Sequence, residues 1–166
     1  RNHPASDILI SDRPGLSLVL SVADCCPVLV YATDRNVVAA IHAGWRGTAA
    51  GAVAAAFESL RRRYTVDPAK CRCWIGPCAG EENYEVGPEV ARQFRDYPRR
   101  LRPSSKPNHA LLDLAGLNFD ALVSAGVPSP AIEVAGIDTI GDRRFHSYRR
   151  DGRNSGRMAA WIALLH

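Results

Sequence analysis

Short apolar runs separated by turn residues make up the first quarter of the chain. Residues 16–22 and 28–31 are rich in valine and leucine, and the segment Ala23-Asp24-Cys25-Cys26-Pro27 separates them. This pattern predicts two strand segments joined by an irregular corner, because a proline disfavours one unbroken central strand. Turn residues at 33–36 and another apolar run at 37–41 predict that the second strand continues into an antiparallel hairpin.

Helical and extended patterns alternate through the rest of the chain. Three segments have helical patterns: residues 48–63, with Thr48 as the predicted cap, residues 88–97, and residues 113–125, which Gly126 ends. The remaining segments are predicted as strands at 71–75 and 131–137 and as loops at 76–87, 99–108 and 141–156. Periodicity leaves residues 157–165 open between a buried strand and a helix.

The size of the chain suits one domain. It has 166 residues, of which 46% are hydrophobic, so it can bury a substantial core. No apolar stretch approaches the roughly 20 residues of a membrane helix, and the first six residues lack the features of a secretion signal, so we expect a soluble protein. The five cysteines, an odd number in a chain of this size, do not suggest a disulfide framework. We interpret them as reduced thiols of a cytoplasmic protein.

The charge balance favours anionic ligands. Lysine and arginine number 21 against 17 aspartates and glutamates, which gives a formal charge of +4. Arginine clusters at residues 61–63, 99–102, 143–144 and 149–150 raise the alternative of a nucleic-acid-binding module. No recognised nucleic-acid-binding fold accompanies these clusters, and a run such as 61–63 also suits the carbonyl end of a helix.

The predicted hairpin brings two reactive side chains to one end. If Asp34-Arg35 form a two-residue tip, Pro27 lies opposite His42, and Cys25 lies opposite Gly44. The cysteine and the histidine then meet at the open end of the hairpin. A thiolate and an imidazole held by rigid backbone suit Zn²⁺ or copper, and they also suit a cysteine–histidine nucleophile pair. The spacing alone does not choose between these possibilities.

A glycine-flanked segment follows the histidine. Gly44 and Gly47 flank Trp45-Arg46 immediately before the predicted helix, so backbone N–H groups are free to face an anion. Arg46 adds a guanidinium group suited to phosphate or carboxylate. The G-x-x-G pattern by itself also marks ordinary tight turns and is not a Walker loop. Its position next to His42 makes it a candidate anion cradle.

Three further residues are candidates for the chemistry. Asp24 adjoins Cys25 and is placed to orient a ligand or to transfer a proton, although an aspartate before a bend is also a common turn residue. Tyr84 and Arg149 lie in polar loops, where an aromatic ring and a guanidinium group suit a base and a ribose or phosphate. Either loop is equally compatible with a solvated surface.

Several separate motifs, in order from about residue 7 to the C-terminus, closely resemble the YfiH-like family, which is also called the polyphenol oxidase or laccase-domain family. The motifs are Val22-Ala23-Asp24-Cys25-Cys26-Pro27-Val28-Leu29, Ile41-His42-Ala43-Gly44-Trp45-Arg46-Gly47, Ile75-Gly76-Pro77, Tyr84-Glu85-Val86-Gly87, Ser147-Tyr148-Arg149-Arg150-Asp151-Gly152 and Gly156-Arg157-Met158. The resemblance implies an α+β fold in which mixed β-sheets are flanked by helices, with residues 1–166 forming one metal-binding catalytic domain.

The resemblance also implies the metal ligands. Cys25 and His42 match the family's ligand motifs directly. The family's third ligand is a histidine in an earlier Val-His-Gly motif, and His3 lies in no such context, so we expect the chain to lack an N-terminal segment that supplies it. Two departures from the family pattern, Glu82-Asn83 in place of a cysteine pair and His146 in place of an aromatic residue, argue against a second metal site.

The function implied by the resemblance is a zinc-dependent purine nucleoside phosphorylase with adenosine deaminase and methylthioadenosine phosphorylase activity. Its substrates are purine nucleosides and inorganic phosphate. The alternative within the family is a copper-dependent polyphenol oxidase. A multicopper centre needs many histidines, whereas this chain has five that are scattered along the sequence, so this alternative ranks second. A cysteine–histidine hydrolase is compatible with the hairpin but lacks a visible third group to orient the histidine.

Overall fold

A mixed five-stranded sheet forms the centre of the fold. The structure is a computed structural model that describes residues 6–165. In spatial order the strands are β1 (Ile8–Ser11), β4 (Val37–Ala43), β3 (Cys26–Ala32), β5 (Cys71–Ile75) and β9 (Ile132–Val134). The first four strands pair antiparallel, and β5 pairs with β9 in parallel. The hairpin of β3 and β4 therefore occupies the interior of the sheet.

Two smaller sheets and five helices complete the described fold. One sheet pairs β2 (Ser17–Val22) with β10 (Met158–Ala163), and the other orders β6 (Glu85–Val86), β8 (Ala110–Leu112) and β7 (Leu101–Pro103). The helices are α1 (Trp45–Ala49), α2 (Ala52–Tyr64), α3 (Pro88–Ala91), α4 (Leu114–Ser124) and α5 (Tyr148–Asp151). Short 3-10 turns lie at Pro68–Lys70, Arg92–Phe94, Pro98–Arg100, Ser129–Ala131 and Gly152–Asn154.

The central sheet is buried on both faces. One face packs against α2 and α4 through side chains such as Phe57, Leu60 and Leu122, which are at most 1% exposed. The other face packs against β2 and β10, where Leu20 and Ala40 lie in a second apolar cluster. Alternate residues of β3 and β4 therefore point to two different apolar layers, which explains why both strands are continuously apolar.

The mixed sheets flanked by helices confirm the α+β fold class, and the register of the hairpin is as predicted. Pro27 pairs with His42, and Ala32 pairs with Val37 at the other end of the ladder. Residues 157–165, which periodicity left open, contain the strand β10. Among residues 6–165, no helix has the length and apolar character needed to cross a membrane.

The structure corrects several predicted boundaries. The helix predicted for residues 48–63 is broken, because Gly51 has a φ of 76° and separates α1 from α2. Thr48 consequently lies inside α1 and is not a cap. The helix predicted for 88–97 is α-helical only to Ala91 and continues as a 3-10 turn. The loops predicted for 76–87, 99–108 and 141–156 contain β6, β7 and α5 respectively, and the strand predicted for 131–137 is confined to β9.

Candidate functional site

The hairpin register brings Cys25 and His42 to the same end and the same face of the sheet. His42 pairs with Pro27, and Cys25 precedes this proline by two residues, so the two side chains occupy diagonal positions. Diagonal positions across antiparallel strands lie roughly 7 to 8 Å apart, within reach of side chains that converge on one ion. Cys25 packs against the cluster formed with β2 and β10, whereas Cys26 lies in the helix-facing core. The two neighbouring cysteines thus point to opposite faces, as the extended backbone predicts.

Two glycines make room for this arrangement. A Cβ atom on Gly44 would lie 2.7 Å from the sulfur of Cys25, and a Cβ atom on Gly47 would lie 3.2 Å from the backbone oxygen of His42. Gly44 has a φ of −68°, a value that any residue adopts, so the close approach of the sulfur is what requires glycine there. The G-x-x-G pattern therefore has a packing role around Cys25 and His42, and its role as an anion cradle stays a prediction.

The imidazole of His42 is held from one side. Its Nδ1 atom lies 3.0 Å from Oδ1 of Asp7, and its backbone N–H donates to the backbone oxygen of Asp7 at 2.8 Å. The His42 side chain is 33% exposed, so Nε2 is the ring nitrogen left for a further partner. Sequence reasoning missed Asp7, because the pairing of β1 with β4 joins segments about 30 residues apart and no local pattern reveals its register.

The surroundings of Cys25 disfavour its thiolate form. Burial is the main reason that its pKa is raised, and the negative charges of Asp24 and Asp7 raise it further. The guanidinium of Arg157 acts in the opposite direction. A cation at this position would stabilise the thiolate, which is the form that binds metals.

The donor set of Cys25 and His42 fits zinc. One thiolate and one imidazole are ligands that Zn²⁺ prefers, and the pair leaves space for other ligands and for substrate. Residues 6–165 contain no group of three or more histidine, cysteine, aspartate or glutamate side chains placed to hold a metal ion. The described part of the chain therefore offers two ligands of the three that the resemblance implies.

Asp24 is a buried anchor beside Cys25. It is 8% exposed and has a φ of 73°, which an aspartate tolerates better than most residues. One carboxylate oxygen accepts a hydrogen bond from the Thr139 hydroxyl at 2.7 Å, and the other accepts from the Arg149 backbone N–H at 2.6 Å. The backbone oxygen of Asp24 accepts from the Ala79 N–H at 2.9 Å. Two loops and the first turn of α5 are therefore hydrogen-bonded to the corner that carries Cys25.

Tyr84 and Arg149, which the sequence places in two distant loops, lie together. The Arg149 guanidinium lies 5.0 Å from the centre of the Tyr84 ring, and one of its nitrogens donates to the backbone oxygen of Glu85. Burial raises the pKa of Tyr84; the charge of Arg149 lowers it, and those of Cys25 and Asp24 raise it. The two loops therefore meet at one place in the fold.

Trp45 and Arg46 line one pocket together with Tyr84 and Arg149. The Arg46 guanidinium lies 4.3 Å from the centre of the Trp45 ring. The pocket has a volume of about 500 Å³. Its other walls include residues that sequence reasoning missed, namely Glu85, Glu89, Lys106 and His109. Lys106 and His109 lie in a segment with no regular pattern, so the sequence alone gave no indication of their position.

The fold and the site define a class of protein: an α+β domain in which one end of a hairpin presents a cysteine and a histidine, and the segment that follows the hairpin lines a pocket with Tyr84 and Arg149. The model of the family described as multi-copper polyphenol oxidoreductase laccase matches residues 1–165. The chain belongs to this family.

Relatives and solved structures agree with this assignment. The chain is 38% identical to a protein of Xylella fastidiosa named purine nucleoside phosphorylase, over 96% of this chain and 62% of that protein. It is 34% identical to a protein from an unknown prokaryotic organism named adenosine deaminase RL5, over 94% and 61% respectively. The crystal structure of the hypothetical protein YfiH of Bacillus licheniformis matches with a TM-score of 0.91 at 38% identity, over 96% and 62%. The chain thus spans about three-fifths of the length of the relatives that it matches.

Proposed function

We propose that the chain contains the metal-binding part of a zinc-dependent purine nucleoside phosphorylase that also has adenosine deaminase and methylthioadenosine phosphorylase activity. The main support is that Cys25 and His42 share one end and one face of the β3–β4 hairpin. The names of the Xylella protein and of the adenosine deaminase give further support for the reaction class.

In this proposal Cys25 and His42 hold the zinc ion. The sulfur of Cys25 becomes a thiolate on binding, and Nε2 of His42 faces the ion, because Nδ1 is engaged by Asp7. A bound zinc ion would supply Lewis-acid activation of water at neutral pH, which suits hydrolytic deamination of a purine. The apolar layer behind Cys25 limits access of bulk water to one side of the site.

The pocket between Trp45 and Tyr84 is the proposed substrate site. Arg46 and Arg149 supply positive charge for inorganic phosphate, and the ring of Trp45, which is only partly buried, is the proposed surface on which a purine stacks. The first backbone N–H groups of α1, between Gly44 and Gly47, have no acceptor within the helix and add hydrogen-bond donors for phosphate. Phosphorolysis requires a phosphate held close to the anomeric carbon of the sugar, and these groups can hold it.

Asp24 acts in this proposal through the groups it holds. Both of its carboxylate oxygens accept hydrogen bonds from the protein, so it fixes the Cys25 corner and the backbone of Arg149. Direct proton transfer by Asp24 stays a prediction that would require one of these hydrogen bonds to open.

Copper-dependent phenol oxidation is the second candidate, because the matching family model is described as a laccase. Thiolate and imidazole suit copper as well as zinc. Four histidines other than His42 occur in the sequence, at His3, His109, His146 and His166. His109 lines the pocket that Trp45 and Tyr84 also line, and neither Cys25 nor His42 is among the described lining residues of this pocket.

One experiment tests the proposal and separates it from this second candidate. Elemental analysis of the purified protein is combined with product analysis on adenosine, inosine and methylthioadenosine, with and without phosphate, and with a phenol oxidation assay. Cys25→Ser is expected to lose zinc and nucleoside turnover. The control Cys73→Ser changes a buried thiol of β5, whose pKa burial raises to about 12, and is expected to keep both zinc and turnover.

The phosphate arm uses Arg46→Ala. Phosphate-dependent cleavage is expected to weaken more than deamination, while Arg62→Ala, on the exposed side of α2, leaves both unchanged. Copper together with phenol oxidation and without nucleoside turnover would favour the second candidate. Full nucleoside turnover in Cys25→Ser would remove the proposed metal centre.

A further inference from the structure

Asp7 touches His42 at two points. The pairing of Ile8 with Ile41 in the β1–β4 ladder, continued by one residue, sets Asp7 opposite His42. The backbone oxygen of Asp7 accepts from the His42 N–H at 2.8 Å, and Oδ1 of Asp7 lies 3.0 Å from Nδ1 of the ring. Within residues 6–165, Asp7 is the one side chain that hydrogen-bonds this imidazole. The backbone contact fixes where the carboxylate stands relative to the ring.

The chemistry of the pair selects one form of the imidazole. An ionised carboxylate accepts hydrogen bonds and donates none, so the proton of the neutral ring lies on Nδ1. The lone pair is then on Nε2, on the side of the ring away from Asp7. A carboxylate that holds a metal-binding histidine in this way fixes both its tautomer and its orientation.

We propose that Asp7 is a positioning residue whose carboxylate holds His42 in the Nδ1–H tautomer and so presents Nε2 to a cation shared with Cys25. The cation rests on the proposed function, whereas the tautomer does not. The Asp7 side chain is 65% exposed, so its hydrogen bond with the ring contributes little to the stability of the fold.

The first test is made on the metal-free protein. The ¹⁵N chemical shifts of the two His42 ring nitrogens, identified by their disappearance in His42→Ala, report the tautomer directly. In the unchanged protein the proton is expected on Nδ1. In Asp7→Ala a mixture of tautomers is expected, and in Asp7→Asn a smaller change, because the amide oxygen can still accept from Nδ1. Asp12→Asn, an exposed aspartate just after β1, is the control and is expected to leave the shifts unchanged.

The second test is zinc affinity, measured by competition with a chelating dye. Asp7→Ala is expected to weaken zinc binding roughly 10- to 100-fold, with an unchanged unfolding midpoint. Identical ring shifts in Asp7→Ala and in the unchanged protein would overturn the proposal, and so would an unchanged zinc affinity. If the shifts change as expected but the unchanged protein binds no zinc, the proposed metal centre fails and the orientation of His42 by Asp7 stands.

Discussion

The buried carboxylate of Asp24 shows how one residue organises the surroundings of the site. Its oxygens accept hydrogen bonds from Thr139 and from the backbone of Arg149, so they join the Cys25 corner to the loop of Thr139 and to the first turn of α5. Hydrogen bonds to a charged group stabilise a fold by about 1.5 to 3 kcal/mol each, and a donor left without its acceptor costs more when it is buried. The Thr139 hydroxyl belongs to a residue that is fully buried.

We expect Asp24→Asn to lower the free energy of unfolding by about 2 kcal/mol. Asparagine tolerates the left-handed backbone conformation at this position, so the change tests the carboxylate and not the backbone. The asparagine amide group has one acceptor oxygen, and its NH₂ group would face either the Thr139 hydroxyl or the Arg149 N–H. Denaturant unfolding of Asp24→Asn, Thr139→Val and the double variant measures the coupling. Additive effects would contradict a direct hydrogen bond.

The candidate residues could be predicted from the sequence to the extent that local pattern fixes their position. Cys25 and His42 belong to one hairpin whose tip sets the register, so their meeting follows from a short stretch of sequence. Asp7 and Thr139 reach the same site from distant segments, and their contacts depend on strand pairing and loop packing that no local pattern determines.

At the scale of elements, two glycines flank α1, and each meets a different structural requirement. Gly44 has an ordinary φ but lies against the sulfur of Cys25, whereas Gly51 has a φ of 76° with open space where a Cβ atom would lie. The first is a requirement of packing and the second a requirement of backbone conformation. The hairpin and α1 therefore fit together only with a residue lacking a side chain at Gly44.

We expect Gly44→Ala to weaken metal binding, because the added methyl group displaces the sulfur of Cys25. The matched variant Gly51→Ala is expected to lower the free energy of unfolding by roughly 1 kcal/mol, the cost of a left-handed alanine, with metal binding unchanged. Zinc titration and denaturant unfolding of both variants check these outcomes. Unweakened zinc binding in Gly44→Ala would mean that the sulfur moves aside without cost to the site.

Elements of five or more residues with a clear pattern were predicted best. The strand β5 and the helix α4 lie where the pattern put them, the latter with the Asp113 side chain accepting from the Gly116 N–H at its start. Shorter elements such as β7 and α5 were predicted as loops, since three or four residues take regular structure mainly from their tertiary partners. The alanine-rich segment concealed the break at Gly51, because an isolated glycine is tolerated inside a helical pattern.

At the scale of the whole molecule, many of the clustered arginines are bound within the fold. Arg61 donates to the backbone oxygen of Ala125, and Arg100 binds Asp113 and Asp120, each at 2.7 Å. Their charge is thus partly neutralised or engaged by backbone oxygens. Arg46 and Arg149 line one pocket, which Lys106 and the acidic residues Glu85 and Glu89 also line.

Two loops that are distant in sequence are joined through Asp138. Its carboxylate accepts from the backbone N–H groups of Gly80 at 2.8 Å and Ile140 at 2.9 Å, and from the side chain of Asn83 at 2.6 Å. The next residue, Thr139, donates to Asp24. The position of Thr139, and through it the hydrogen bond that holds the Cys25 corner, therefore depends on the carboxylate of Asp138, which lies outside the candidate site.

The ionisation of Asp138 makes the stability of the fold depend on pH. Burial alone raises the pKa of Asp138, but the hydrogen bonds from Asn83 and from the backbone N–H groups of Gly80, Ile140 and Gly141 outweigh it, and the pKa in the folded protein is lowered. A lowered pKa means that the folded state binds its proton less readily than the unfolded chain, whose aspartates titrate near about 3.9. The contribution of Asp138 is therefore complete above that value and is lost as the pH falls through the folded pKa.

We expect Asp138→Asn to lower the free energy of unfolding by about 2 kcal/mol at pH 7, and the gap between the two proteins to shrink as the pH falls below about 4. Denaturant unfolding at pH 7, 5, 4 and 3 measures this gap. Asp96→Asn, whose side chain is 86% exposed, is the control and is expected to leave the unfolding free energy nearly unchanged at every pH. A gap that is the same at pH 7 and pH 3 would mean that Asp138 contributes through the shape of the loop and not through its charge, and the joining of the two loops would then not depend on an ionised carboxylate.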